Sequence, residues 1–159
     1  MNSEDKIVTL EKFSNICIYG PKSKKLVMTN GCFDLLHYGH CRYLENCKKQ
    51  GDILVVALNS DSSIKELKGP TRPIIDEENR AYMLSCLHFV DFIIMFRSKR
   101  CVDIINYVRP DIYCKGIDYN IEKLDPDERQ ALIDKKCEIR FVPPAVLSTT
   151  ILIERIKNL

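Results

Sequence analysis

The sequence of 159 residues contains no tryptophan, only six glycines and no Cys-x-x-Cys pair, although it has eight cysteines. Without such a pair a zinc ribbon is not expected. The longest clean apolar run, at 53–58, is far shorter than the roughly 20 residues of a membrane helix. The polar start does not resemble a secretory signal. These absences favour a cytoplasmic protein that does not enter a membrane, with reduced thiols of which several act as small buried apolar groups.

No charge of one sign dominates, because 24 Lys and Arg oppose 22 Asp and Glu, giving a formal net charge of +2. A DNA-binding surface usually needs a larger basic excess, so nucleic acid is not an expected partner. The hydrophobic content of 45% and charged content of 29% are typical of a globular chain. The length suits one domain. We expect this domain at 25–159, preceded by an N-terminal helix and a basic turn at 1–24.

Short apolar runs alternate with longer amphipathic stretches. The runs predict buried strands at 26–28, 53–58, 92–96, 112–114 and 139–142. Their continuous hydrophobicity is typical of a sheet covered on both faces. The amphipathic stretches predict helices at 40–50, 76–88, 102–108, 125–136 and 149–158, and a further helix outside the sheet near 10–17. This alternation predicts an α/β fold with a doubly wound, parallel, five-stranded sheet.

The segment from Thr29 to His40 follows the first predicted strand directly. In open parallel sheets, ligands bind outside the carboxyl ends of the strands, where loops lead into helix N-termini. Gly31 allows a close backbone approach, and Gly39 leaves room beside the backbone. His37 and His40 are three residues apart, so we expect them to share a face on the first helical turn.

A histidine pair at a helix start could instead bind a metal or serve in capping and packing. A zinc site is disfavoured because no third and fourth ligand occur at suitable spacing. A capping role suits a lone histidine better than a strand, a glycine loop and a His-x-Gly-His segment in succession. The pattern therefore favours a ligand-binding loop.

The His-x-Gly-His signature after a Gly-x-Phe-Asp turn resembles the nucleotidyltransferase superfamily related to class I aminoacyl-tRNA synthetases, which has a Rossmann-like sheet with helices on both faces. Within it, the segment is most similar to the adenylyltransferase half of ADP-heptose synthases. The likeness extends over about 26–156, through the loop at 59–73, the segment at 110–119 and the Ser-Thr-Thr at 148–150. Ile117 departs from the family's usual second glycine, and 145–147 replace its usual acidic-Gly pair. About two dozen residues precede the first strand, so we expect a stand-alone transferase without the sugar kinase half.

The resemblance implies that a sugar 1-phosphate, D-glycero-D-manno-heptose 1-phosphate, attacks ATP and releases pyrophosphate. A phosphate monoester is largely dianionic at neutral pH and needs no general base. The step needs positioning and hydrogen-bond donors at the α-phosphate. We assign that role to His37 and His40, with Lys68 as a third catalytic residue. Arg72 and Arg80 are expected to bind substrate phosphate.

Nucleotide-binding residues are expected in three places. They are Asn30, Gly31, Cys32, Phe33 and Gly39 near the first loop, Gly116 and Asp118 after the fourth strand, and Ser148, Thr149 and Thr150. The last triplet suits β- and γ-phosphate binding at a helix N-terminus, and it equally suits a simple N-cap. Asp34 is expected to fix the loop. No protein metal site is expected, since Mg²⁺ enters with the nucleoside triphosphate.

Two other functions stay open at this point. One is a CTP-dependent cytidylyltransferase acting on a polyol phosphate such as glycerol 3-phosphate. The other is a nucleotide-binding sensor without turnover. A homodimer is a further expectation, because members of the family are often dimers.

Overall fold

In a computed structural model, which describes residues 2–19, 23–143 and 149–159, five strands form one sheet. All neighbouring strands are parallel, in the order β3-β2-β1-β4-β5. The strands are β1 (Leu26–Gly31), β2 (Ile53–Asn59), β3 (Phe92–Phe96), β4 (Ile112–Gly116) and β5 (Glu138–Val142). The predicted five-stranded parallel sheet is confirmed.

Helices connect the strands and flank the sheet. They are α1 (Leu10–Tyr19), α2 (Tyr38–Lys48), α3 (Asp61–Lys68), α4 (Glu77–Ser85), α5 (Val102–Val108), α6 (Pro126–Asp134) and α7 (Thr149–Lys157), with short 3₁₀ turns at Glu4–Lys6 and Ile121–Lys123. The membrane question has a direct answer for the described ranges: none of their helices has the length and apolar character needed to span a bilayer.

The core lies on both faces of the sheet because alternate strand residues point to opposite sides. On β2, Val55 and Ala57 belong to one apolar cluster, whereas Leu54, Val56 and Leu58 belong to the other. Residues of α1, α5 and α6 complete the first cluster, and residues of α2 and α4 complete the second. This two-sided burial explains why β2 is continuously apolar, and it confirms the prediction of helices on both faces.

The helix starts follow from capping residues. Asp76 caps α4 by accepting from the Asn79 N–H, and Asp125 caps α6, whose first residue is Pro126. The C-terminus of α5 is set at Arg109, which adopts a left-handed conformation with φ 50° before Pro110. These ends lie within two or three residues of the predicted ones.

One element was predicted wrongly. The segment at 59–73 was expected to be a loop, but its first half forms α3. Ser60 caps this helix by accepting from the Ser63 N–H, and Gly69, with φ 95°, ends it. The helix was overlooked because its sequence is polar, with Ile64 as its one fully buried apolar side chain. The loop proper is therefore 69–75.

The N-terminal segment joins the core rather than standing apart from it. Val8 donates a backbone hydrogen bond to the Ile93 carbonyl. Phe13 on α1 packs edge-to-face on Phe92 of β3, with ring centroids 5.4 Å apart. The predicted helix outside the sheet is thus present, and its apolar face is continuous with the rest of the core.

The strand order places a switch point between β1 and β4. From β1 the chain builds outward through β2 and β3, and it then returns to the other side for β4 and β5. The connections on the two sides lead away from each other, which opens a crevice at the carboxyl ends of β1 and β4. The two loops that leave these strands carry the predicted site.

Candidate active site

A cleft of about 750 Å³ lies at this switch point. Twelve of the fifteen predicted site residues line it: Asn30, Gly31, Cys32, Phe33, His37, Gly39, His40, Lys68, Gly116, Asp118, Thr149 and Thr150. Among the other three, Ser148 lies outside the described residues. Arg72 and Arg80 are not part of the cleft wall. The cleft therefore unites segments that are up to 120 residues apart in the sequence.

The loop between β1 and α2 has an unusual backbone. Phe33 and Leu35 both adopt left-handed conformations, with φ values of 47° and 51°. Non-glycine residues rarely adopt this region, and such conformations concentrate at functional sites. Phe33 is buried, and its ring packs edge-to-face on His40 with centroids 5.3 Å apart. The loop is thus anchored by an apolar side chain while its backbone turns tightly toward the cleft.

The two histidines are stacked against each other. Their ring centroids are 3.8 Å apart and the planes differ by 23°. His40 lies in α2, but His37 is the N-cap, with φ −141° and ψ 171°, and not a residue of the first turn as expected. Its Nδ1 accepts from the Gly39 N–H at 3.0 Å. The rings meet because the cap turns back over the helix start, so the predicted proximity holds for a different geometric reason.

Two ring nitrogens of this pair are buried without a partner among the described residues, His37 Nε2 and His40 Nδ1. Because His37 Nδ1 accepts a hydrogen bond, the proton of the neutral ring lies on Nε2. This nitrogen is therefore a donor for which no described residue supplies an acceptor. Buried polar groups are normally paired, and no described residue supplies the partner, so the pair is available to bind a ligand.

Both imidazoles are neutral at pH 7. Burial lowers the pKa of His37 below its usual value. Burial, together with His37 and the nearby Lys68 ammonium, lowers the pKa of His40 to about 4, against a smaller opposing effect of Asp34. The rings can therefore donate to a phosphate oxygen as neutral groups.

Asp34 holds the loops of the site together, as predicted. Its carboxylate accepts from the backbone N–H groups of Ile74 and Ile75 and from Arg72 Nε, at 2.8–3.1 Å. Its carbonyl accepts from the Thr149 hydroxyl at 2.7 Å. Burial alone would raise the pKa of Asp34, but the backbone donors and the guanidinium outweigh burial and lower it. The Asp34 carboxylate thus connects the β1–α2 loop to the 69–75 loop, and the Asp34 carbonyl connects the β1–α2 loop to α7.

The phosphate-binding role expected for Arg80 is not supported. Its side chain is 1% exposed. It donates to the carbonyls of Cys32, Asn59 and Ile75 and to the Asp61 carboxylate, at 2.6–2.9 Å. Four of the five guanidinium N–H groups are therefore used inside the protein. Arg80 fastens the ends of β1 and β2 to α3 and α4.

Two other predicted residues are engaged in ways that the sequence did not indicate. Arg72 Nη2 lies 2.6 Å from Asp34 Oδ2, so the guanidinium is turned toward that carboxylate. Thr149 uses its hydroxyl proton on the Asp34 carbonyl, which removes it as a hydroxyl donor to phosphate. The exposed Thr150 still lines the cleft at the N-terminus of α7.

Sequence reasoning assigned no role to several polar residues of the cleft wall. They are Tyr43, Lys99, Arg100, Lys115, Tyr119, Lys123, Asp125 and Glu128. Most come from the loops before α5 and α6, whose approach to β1 depends on tertiary packing. Lys115 could have been found, because it is the penultimate residue of β4, the strand that the fold class places beside β1 at the switch point.

The charges around the cleft suit an anionic ligand. Lys68 and Lys115 lie on the walls, whereas Arg100 is paired with Asp125 at 2.7 Å. Within the part of the chain that the structure describes, no group of three or more His, Cys, Asp or Glu side chains is arranged to hold a metal ion. None of the seven described cysteines is in a disulfide.

A switch-point crevice with cations and a helix N-terminus is where doubly wound α/β proteins bind nucleotides and phosphates. The particular family follows from comparison with known proteins. The cytidylyltransferase-like family model matches residues 28–155, and the chain belongs to this family.

Curated relatives are similar over nearly the whole chain. "Bifunctional protein HldE" of Helicobacter acinonychis is 44% identical over 96% of this chain. The protein of the same name from Campylobacter jejuni serotype O:2 is 41% identical over 99% of it. The chain spans 32% of the length of each of these relatives.

Solved structures agree with the fold. A crystal structure described as the lipopolysaccharide core biosynthesis protein from Thermoplasma volcanium has a TM-score of 0.63 and 35% identity, covering 79% of this chain and 100% of that one. A pantoate-beta-alanine ligase from Francisella tularensis has a TM-score of 0.59 at 15% identity, covering 96% of this chain and 72% of that one, and shows a likeness of fold alone.

Proposed function

We propose that this chain is an adenylyltransferase that joins the AMP part of ATP to a sugar 1-phosphate, D-glycero-D-manno-heptose 1-phosphate, and releases pyrophosphate. The observation that carries the proposal is the stacked histidine pair in a cleft of nucleotide-binding type. Two ring nitrogens of this pair have no partner in the part of the chain that the structure describes. Membership of the cytidylyltransferase-like family and the similarity to the HldE proteins support it.

In the proposed reaction, a phosphate oxygen of the sugar 1-phosphate attacks the α-phosphorus. The bond between this phosphorus and the α–β bridging oxygen breaks, and pyrophosphate leaves with the electron pair. The nucleophile is already ionised, which agrees with a pair of neutral imidazoles that act as donors and not as bases. Their role is to hold the α-phosphate oxygens in line and to stabilise the charge that develops there.

Other parts of the cleft would divide the remaining work. The exposed Lys68, whose charge is close enough to lower the pKa of His40, would stabilise the phosphates. Gly116 would help to place the Asp118 carboxylate, which packs against the Gly116 backbone where a Cβ would overlap it. Asp34 and Glu128 are engaged in hydrogen bonds within the protein, so Mg²⁺ would arrive on the oxygens of the triphosphate, which it prefers together with retained water. A cytoplasmic location and a homodimer stay predictions.

A substrate panel tests the proposal. Pyrophosphate release is measured for ATP, CTP and GTP, each combined with D-glycero-D-manno-heptose 1-phosphate and with glycerol 3-phosphate. We expect release with ATP and the heptose phosphate, and a nucleotide-sugar product by mass spectrometry. Release with CTP and glycerol 3-phosphate alone would replace the proposal by the cytidylyltransferase function. Nucleotide binding without release in any combination would indicate a sensor.

A further inference from the structure

A chain of buried and half-buried polar groups runs from α6 to the cleft. Glu128, 5% exposed, accepts from the Cys101 N–H at 3.0 Å and from the Cys101 thiol at 3.3 Å. The thiol also lies 3.5 Å from the Tyr113 hydroxyl. This hydroxyl donates to Asn30 Oδ1 at 2.7 Å, and Lys115 Nζ donates to the same oxygen at 2.5 Å. The chain links four elements and ends at a cation in the cleft wall.

Chemistry fixes the direction of the two hydrogen bonds to Asn30. An ammonium group has no acceptor, so Asn30 must present its oxygen to Lys115. The same oxygen can only accept, so Tyr113 must donate to it. Burial raises the pKa of Tyr113 well above its usual value, with Cys101 and Glu128 adding to the effect, and the hydroxyl keeps its proton. The carboxamide of Asn30 is therefore held in one orientation.

Lys115 is confined on several sides. Besides the contact with Asn30, its ammonium lies 5.2 Å from the centre of the Tyr119 ring and 5.7 Å from that of Tyr113. Such cation–aromatic contacts are attractive and leave the N–H donors free. Among the described residues, the Lys115 ammonium has one hydrogen-bond partner, Asn30, so its other two N–H donors are available on the cleft side.

We propose that Lys115 binds a phosphate group of a substrate and that Tyr113 is a positioning residue, which holds Lys115 in place through Asn30. The proposal rests on the proposed transferase function. Tyr113 is fully buried in β4, among apolar strand residues. A hydroxyl there must be paired to avoid a desolvation penalty, and the fold pairs it with the one side chain that also holds the cation.

A double-mutant cycle tests the link. The variants Lys115→Met, Tyr113→Phe and the double variant are compared with the wild type by steady-state kinetics, with ATP and the heptose phosphate varied separately. Lys115→Met should lower kcat/KM roughly 10- to 100-fold, as expected for a lost hydrogen bond to a charged group. Tyr113→Phe should lower it about three- to tenfold. In the Lys115→Met background, Tyr113→Phe should change it less than about twofold.

The substrate whose kcat/KM falls more in Lys115→Met is the one whose phosphate group Lys115 binds. Unchanged kcat/KM for both substrates in Lys115→Met would overturn the proposal, and so would an equal effect of Tyr113→Phe in both backgrounds. Because the wild type is assayed in parallel, pyrophosphate release by it upholds the transferase function whichever way the cycle turns out.

Two further variants serve as a control and as a substitute for Tyr113→Phe. Tyr107→Phe removes a hydroxyl from a tyrosine that is about half exposed on α5 and lies outside the cleft wall, and it should keep wild-type kinetics. If Tyr113→Phe fails to fold, as judged by its thermal melting curve, Asn30→Ala breaks the same link without altering β4. Its effect on kcat/KM must also shrink in the Lys115→Met background, and full additivity would contradict the positioning role.

Discussion

The histidine pair lies where the β1–α2 loop enters α2, and Arg80 on α4 donates to the Cys32 carbonyl at the start of that loop. The two use their polar atoms in opposite ways. Arg80 directs four N–H groups to protein acceptors, whereas two buried ring nitrogens of the histidine pair have no partner among residues 2–19, 23–143 and 149–159. A buried unpaired polar group costs about 1–3 kcal/mol. We infer that Arg80, whose donors bind protein acceptors, maintains the fold. The imidazoles, which have nitrogens without a partner among the described residues, mark the place where a ligand binds.

The largest predicted effect is the loss of stability on replacing Arg80. Arg80→Met removes the donor to three main-chain carbonyls and leaves the half-buried Asp61 carboxylate without its cation, so we expect the free energy of unfolding to fall by about 3–5 kcal/mol. Urea denaturation followed by circular dichroism measures this loss. A variant with wild-type stability but a raised KM would restore the phosphate-binding role that the sequence suggested.

The lowered pKa of His40 predicts that the stability of the protein depends on pH. Because the folded-state pKa of His40 is about 4 and the usual value is 6.5, the unfolded chain binds a proton first as the pH falls. Stability is therefore lost between pH 6.5 and 4, by up to about 3 kcal/mol from this residue. His40→Gln should flatten the curve of unfolding free energy against pH in this window. An identical slope in the two proteins would refute the assignment.

A smaller effect is expected at the rim of the cleft. Lys68→Ala should raise KM for a phosphate substrate by roughly 5- to 30-fold, because one charge-assisted contact is lost, and it should leave stability within about 0.5 kcal/mol. Lys65→Ala is the matched control, since this exposed lysine lies on the same helix but outside the cleft wall. Equal kinetics of the two variants would make Lys68 a bystander.

The smallest predicted effect concerns the anchor of α7. Thr149→Val removes the hydroxyl that donates to the Asp34 carbonyl, which should lower the free energy of unfolding by about 1 kcal/mol. Thr149→Ser keeps the hydroxyl and should retain most of the stability. If the valine variant is as stable as the serine variant, the hydrogen bond contributes nothing measurable.

The same contrast shows how far the sequence could predict this molecule. The sheet was predictable because β2 and β3 are apolar on both faces, and the histidine pair because it follows a strand directly. The helix α3 was not, since its capped polar sequence carries little periodicity. The engagement of Arg80 was not predictable either, because an arginine motif looks the same whether its acceptors are substrate oxygens or the carbonyls of Cys32 and Asn59.

Lys115 and Tyr113 illustrate a second limit. Only Cys114 separates them on β4, yet Lys115 lines the cleft and Tyr113 is buried in the interior. Their shared partner, Asn30, lies more than 80 residues away in the sequence. Only the pairing of β1 with β4 brings the three together, and that pairing is a property of the whole sheet.

The turnover of His40→Ala tests the catalytic role of the histidine pair most directly. In a variant that remains folded at pH 7.5, we expect pyrophosphate release from ATP and the heptose phosphate to fall about 10²–10³-fold, since a donor to the transition state is lost. His88→Ala, which changes an exposed histidine outside the cleft wall, should keep full activity. Near-normal turnover in folded His40→Ala would contradict the claim that the imidazole pair acts on the α-phosphate.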